Sequence, residues 1–141
     1  MIVIDASVAV KWYFPESGSD EAIRILANCS GEILVPELFV VEVCAALVRH
    51  ANTNKSQRSG VLSLLTEFAL TIDRREFEVH APSLTLPFKA ATLAIDLGHP
   101  LKDCIYLALA MEQACLLVTA DARFAAKAET VFQNIGLLDD F

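Results

Sequence analysis

Four acidic residues differ from the other acids of this chain in their surroundings. Asp5 ends the apolar run Met1-Ile2-Val3-Ile4, and Asp121 follows Leu116-Leu117-Val118-Thr119-Ala120. Glu42 is the one charged residue between Leu38 and Val48, and Asp103 precedes Cys104-Ile105-Tyr106-Leu107-Ala108-Leu109-Ala110-Met111. Most of the 18 acidic residues lie on polar stretches, where hydration accounts for them. An ionised group inside an apolar helix carries a substantial desolvation cost unless something pairs with it. One turn away from Glu42 on its own helix stand Leu38, Phe39, Ala45 and Ala46, and none of these pairs with a charge. A divalent cation removes the difficulty. Four carboxylates gathered in one place cannot all ionise without a counter-charge, and their hard oxygens suit Mg²⁺ or Mn²⁺ rather than zinc. Such an ion lowers the pKa of a bound water, orients it, and stabilises charge on a phosphate and its leaving oxygen, which is nuclease chemistry. Each acid also has a plainer explanation. Asp5 suits the start of the next helix, and Asp103 and Asp121 suit helix caps; taken singly, capping accounts for the last two at least as well as catalysis does.

The elements that must position these groups follow from the hydrophobic pattern. Short apolar runs alternate with longer helical stripes, which predicts an α/β fold with a parallel sheet covered by helices on both faces. Strands are expected at Ile2–Asp5, Ile33–Val35, Leu116–Thr119 and within Val131–Leu137, with one more at either Leu70–Ile72 or Phe77–Val79. Two strand ends then carry Asp5 and Asp121, where open α/β sheets place ligands. Helices are expected over Ala6–Trp12, from a cap at Ser19-Asp20 to near Gly31, from Pro36-Glu37 to about Ala51, and through Val61–Phe68 after a polar loop at Asn52–Ser56. Others run from Pro87 to Gly98, from Asp103 to Gln113, and onward from Asp121.

With 141 residues the chain suffices for one domain, 1–141, with a substantial core. The 55% hydrophobic content is high, yet no stretch free of Asp, Glu, Lys and Arg exceeds the ten residues Val79 to Phe88. A membrane-spanning helix needs about 20 mostly apolar residues. The start Met1-Ile2-Val3-Ile4-Asp5 lacks the features of a signal peptide and reads as a strand, so a cytoplasmic location is expected. Cys29, Cys44, Cys104 and Cys115 have no metal-site spacing and are expected as buried, reduced thiols. Two glycosylation-like patterns, Asn28-Cys29-Ser30 and Asn54-Lys55-Ser56, read as turns. The net charge of −7 opposes nucleic-acid binding through an overall positive field. It is compatible with a nuclease whose bound cations attract phosphate.

With these motifs in view, the sequence resembles the PIN-domain nucleases, and among them the toxins of VapBC toxin–antitoxin systems. Ile2-Val3-Ile4-Asp5-Ala6-Ser7 is similar to the family's opening strand with its D-x-S. Pro36-Glu37-Leu38 through Glu42, Asp103-Cys104-Ile105-Tyr106, and Leu117-Val118-Thr119-Ala120-Asp121-Ala122-Arg123 are similar to the segments carrying the other three acids, in family order. The resemblance implies a three-layer α/β/α sandwich with a mostly parallel central sheet, Mg²⁺- or Mn²⁺-dependent cleavage of RNA, a homodimer, and a small antitoxin protein as partner. It also implies that Asp5 and Asp103 are the firmest metal ligands, with Glu42 and Asp121 bound directly or through water. Ser7 and Thr119 would be hydroxyls that orient carboxylates or water; capping explains them equally well. The departure is Lys102, before Asp103, where such toxins often have an apolar or aromatic residue.

Trp12, Tyr13 and Phe14 suit either a stacking surface for RNA or core and partner packing, with packing the better account. Arg123, beside Asp121, is the best placed of the cations Arg49, Lys55, Arg58, Arg74, Arg75 and Arg123 to guide an RNA backbone. His50, His80 and His99 share no metal-ligand spacing, and Asp139-Asp140 read as a solvated tail. Two other functions compete with the nuclease: a PIN-like binding module without catalysis, and an α/β phosphatase with an aspartyl nucleophile. The second is weakened by Ser7, which stands where the commonest such motif has another Asp.

Overall fold

The central strand of the sheet is the first segment of the chain. A computed structural model describing residues 1–141 has five strands, β1 (Ile2–Ile4), β2 (Ile33–Val35), β3 (Glu78–Val79), β4 (Leu116–Thr119) and β5 (Ile135–Leu137). They are ordered β3-β2-β1-β4-β5 and every pairing is parallel. All three residues of β2 are buried, as are Val3 and Ile4 of β1 and Leu117, Val118 and Thr119 of β4. This is the continuous apolar character expected of strands covered on both faces.

Seven helices connect the strands: α1 (Ala6–Val10), α2 (Ser19–Asn28), α3 (Glu37–Thr53), α4 (Arg58–Asp73), α5 (Leu86–Leu97), α6 (Leu101–Gln113) and α7 (Ala122–Ala128). The chain moves outward on one side from β1 to β3, then crosses β1 to build β4 and β5 on the other. Right-handed crossovers therefore place the two groups of helices on opposite faces, giving the α/β/α sandwich. Helix α3 packs against α1 and α4, while α5 packs against α6.

Several local expectations change. The fifth strand is Glu78–Val79, whereas Leu70–Ile72 belongs to α4, which continues to Asp73. Helix α3 extends to Thr53, and Lys55–Gln57 forms a short 3-10 turn where a loop was expected. Gly18, with φ 84°, is the cap of α2, so Ser19 and Asp20 lie inside its first turn; the Ser19 hydroxyl instead donates to the Phe14 carbonyl at 3.0 Å and accepts from the Glu16 amide at 3.0 Å. Helix α6 begins two residues before Asp103, with Pro100 as its cap, so Asp103 is not the capping residue.

Trp12 packs edge-on against Phe39 and lies against Phe77, while Tyr13 meets Phe68 edge-on. Trp12 also donates from its ring nitrogen to the Ala22 carbonyl at 3.0 Å. These contacts place both rings in packing between elements rather than in an open stacking surface. All four cysteines are free; Cys104 and Cys115 are buried, Cys29 and Cys44 partly so. Asp139 and Asp140 are exposed, but the segment is docked by the buried Leu138 and folds as a 3-10 turn.

Two helices end in left-handed conformations, α5 at Gly98 (φ 55°) and α6 at Ala114 (φ 49°). Ala114 is exposed, and a Cβ at Gly98 would meet nothing within 4 Å, so backbone strain dominates at both sites. Ala114→Gly is expected to stabilise the chain by up to about 1 kcal/mol and Gly98→Ala to destabilise it by about 1 kcal/mol. Urea unfolding of the two variants checks both signs.

Candidate active site

Asp5 is the residue immediately beyond β1 and the cap of α1. Its Oδ1 accepts from the Ser7 amide at 2.9 Å, the Val8 amide at 3.3 Å and the Ser7 hydroxyl. Its Oδ2 accepts from the Thr119 hydroxyl. The register pairing Ile4 with Val118 makes Asp5 and Thr119 the next residues outward on adjacent strands. The same hydroxyls accept from the turn after β4: Ala120 donates its amide to Ser7 Oγ and Asp121 its amide to Thr119 Oγ1, both at 3.0 Å. Asp5 is 5% exposed. Burial pushes its carboxyl up from 3.8 to about 6, against the lowering effect of its hydroxyl and amide donors.

Glu42 reaches the same place from α3. Its charge is paired not by its own helix, where the sequence offered no partner, but across to α6. Oε1 accepts from Lys102 Nζ at 3.1 Å and Oε2 from the Tyr106 hydroxyl at 2.7 Å. The apolar surroundings inferred from sequence are also only half buried, since Val41, Ala45 and Val48 face outward. Asp103, in the first turn of α6, bonds His99 Nε2 through Oδ2 at 3.0 Å and lies 3.9 Å from Lys102 Nζ through Oδ1. Burial raises its pKa, opposed by Lys102 and His99 and reinforced by Glu42. The bond to Glu42 is the main cause that raises the Lys102 pKa, while burial is the main one raising the Tyr106 hydroxyl. Asp121 caps α7, its Oδ1 accepting from the Arg123 and Phe124 amides at 2.8 and 3.0 Å.

Asp5, Glu42, Asp103 and Asp121 all line one cleft of about 740 Å³. It lies at the carboxyl ends of β1 and β4, where the strand order reverses and α/β sheets bind ligands. Lys11, Arg49, Lys102 and Arg123 share its walls. No three His, Cys, Asp or Glu side chains are arranged to hold a metal ion directly, and each carboxylate is engaged by an internal donor. The donors nevertheless fit a hard dication in their chemistry. They are carboxylate oxygens, Asp5 is desolvated, and Mg²⁺ commonly uses one or two carboxylates with water completing its shell.

A PIN domain family model matches residues 2–130. The chain belongs to the PIN-domain family. Ribonuclease VapC3 of Pyrobaculum aerophilum is 30% identical to it over 129 residues, covering 89% of this chain and 93% of that relative. The fold of this PIN-domain chain is similar to the crystal structure of PAE2754 from Pyrobaculum aerophilum, with a TM-score of 0.66 and 17% identity over 99% of this chain and 91% of that one.

Ser7 and Thr119 of this PIN domain are more than caps, since each hydroxyl bridges Asp5 to the turn after β4. Arg49 and Arg123 line the cleft, whereas Lys55 and Arg58 line a separate groove between α3 and α4 and Arg74 pairs with Glu67 and Glu76. Sequence reasoning missed Tyr106, His99 and the pairing of Lys102. Spacing held a clue: Asp103 and Tyr106 lie one turn apart on α6, as do Lys102 and Tyr106, and His99 stands four residues before Asp103.

The Asp5 shift gives a testable pH dependence. Between about 4 and 6 the folded chain holds a proton on Asp5 that the unfolded chain has released, so this residue's contribution to stability is lost as pH rises through that window. A shift of about 2 units corresponds to roughly 3 kcal/mol. Asp5→Asn, which carries no charge, is therefore expected to lack this fall and to exceed the unsubstituted chain in melting temperature at pH 7.5. Thermal melts of both proteins from pH 4 to 8 test this; parallel curves refute it.

Proposed function

We propose that this PIN-domain chain is a divalent-metal-dependent endoribonuclease and the toxin of a toxin–antitoxin pair. The observation supporting catalysis is the meeting of four carboxylates, from β1, α3, α6 and the turn after β4, in one cleft flanked by cations. The likeness to Ribonuclease VapC3 supports RNA as the substrate. Asp5 and Asp103 are the proposed principal ligands of Mg²⁺ or Mn²⁺, with Glu42 and Asp121 binding directly or through water. The ion supplies an activated water and positive charge at the phosphate.

The protein side chains divide the remaining work. Ser7 and Thr119 fix both oxygens of Asp5, and Tyr106 fixes Oε2 of Glu42, so neither carboxylate must be ordered when substrate arrives. Arg123 and Arg49 hold the RNA backbone through charge-assisted bonds to phosphate oxygens. We assign the chain to the cytoplasm; no helix is long and apolar enough to cross a membrane.

Homodimerisation and antitoxin binding belong to the same proposal. They are supported by two apolar areas, Phe88 and Ile95 on α5 and Val41, Val48 and Leu62 on α3 and α4, all exposed. The internal pairing of every carboxylate favours a second reading, a PIN-like binding module without catalysis, in which antitoxin binding survives and RNA cleavage is absent.

Asp5→Asn and Asp103→Asn are expected to lower Mg²⁺- or Mn²⁺-supported cleavage of RNA by about 100-fold or more, with circular dichroism unchanged. Excess EDTA is expected to abolish cleavage by the unsubstituted chain. Full activity in both variants, or in EDTA, overturns the proposal.

A further inference from the structure

Lys102 and Tyr106 hold the two oxygens of Glu42 in different ways. Tyr106 is 1% exposed, and its hydroxyl meets Oε2 at 2.7 Å from within the core. The Lys102 side chain is 61% exposed, and its ammonium reaches Oε1 at 3.1 Å and Asp103 Oδ1 at 3.9 Å. One donor is fixed by packing; the other is held mainly by charge and can swing into solvent. Oε1 is therefore the Glu42 oxygen that can be freed without disturbing the core.

The Lys102 ammonium bridges acids from two helices, α3 and α6, at the position where a cation shared between them has to stand. It neutralises part of the charge that would attract a dication, and its tether keeps it close after displacement.

We propose that Lys102 is a tethered counter-cation that occupies the Glu42–Asp103 site until a divalent ion displaces it, thereby setting the ion concentration at which the cleft loads. This rests on the cleft being a divalent-ion site. Once released from Glu42, the ammonium remains on the cleft wall and is available to an RNA phosphate, so the same residue weakens ion binding and strengthens substrate binding.

The test is calorimetric titration of the full chain with Mn²⁺, using the unsubstituted protein, Lys102→Met, Lys102→Arg, Glu42→Gln and the double variant Lys102→Met with Glu42→Gln. Lys102→Met removes a largely exposed charge and keeps the aliphatic stem, so the fold should be retained; circular dichroism checks this. It is expected to tighten Mn²⁺ binding roughly three- to tenfold, the scale of losing a partly exposed ion-pair competitor. It should correspondingly enlarge the rise in melting temperature on adding Mn²⁺. Lys102→Arg should bind close to the unsubstituted protein. In the Glu42→Gln background the gain from Lys102→Met should shrink, because the competition acts through Glu42. Binding of RNA to Lys102→Met, measured in Ca²⁺, should weaken by a few-fold.

Unchanged or weaker Mn²⁺ binding in Lys102→Met overturns the role of Lys102 while leaving the metal-nuclease proposal intact. A gain of equal size in the Glu42→Gln background also overturns it, since the effect would then be general electrostatics. If neither the unsubstituted chain nor Lys102→Met takes up Mn²⁺, both proposals fall.

Discussion

The site depends on a buried carboxylate at the end of β1, held by one hydroxyl from α1 and one from the adjacent strand β4. Ser7 and Thr119 each donate to Asp5 and each accept a backbone amide from the turn after β4. Once Asp5 is ionised, these hydroxyl protons have only one useful direction, so the network has a single polarity. It joins the ends of β1 and β4 and fixes the entry of α1 and α7. It also imposes a cost, because a carboxylate that is 5% exposed prefers to be neutral. Such opposition between stability and charge is characteristic of functional sites.

The same opposition extends through the cleft. Glu42 is bonded by Lys102 and Tyr106, and Asp103 by His99, so each carboxylate is held by local hydrogen bonds and Lys102 adds a positive charge beside both. Each partner is held differently. Tyr106 is locked in the core, His99 stacks on Phe124 at 4.9 Å, and Lys102 projects from the surface. A rigid scaffold with an exposed cation between Glu42 and Asp103 combines preorganised carboxylates with a group that can yield its place.

Much of the architecture was legible in the sequence because buried parallel strands leave continuous apolar runs. Ile33–Val35 and Leu116–Thr119 are strands at the bounds the pattern indicated. The least legible segment was Leu70–Val79, where β3 has only two residues at the sheet edge and little burial to mark it. Leu70 and Ile72 are apolar, but they lie in α4, where Ile72 packs against the core and Leu70 is exposed. Ser19 and Asp20 suited a cap by residue type, yet the left-handed turn at Gly18 begins the helix earlier.

By itself the sequence determined the alternation of strands and helices, the positions of Asp5 and Asp121 at strand ends, the isolation of Glu42 among apolar residues, and the place of Asp103 at the head of an apolar run. These are local properties, governed by periodicity and by the residues one turn away. The strand order β3-β2-β1-β4-β5, which brings four distant acids to one reversal point, was decided only in the tertiary structure. So were the partners of Glu42, which come from 60 and 64 residues further along the chain. The physical reason is that charge pairing acts through space. A helix can be searched for its own partners at one-turn spacing, but partners on another helix exist only once the sheet has brought the two together.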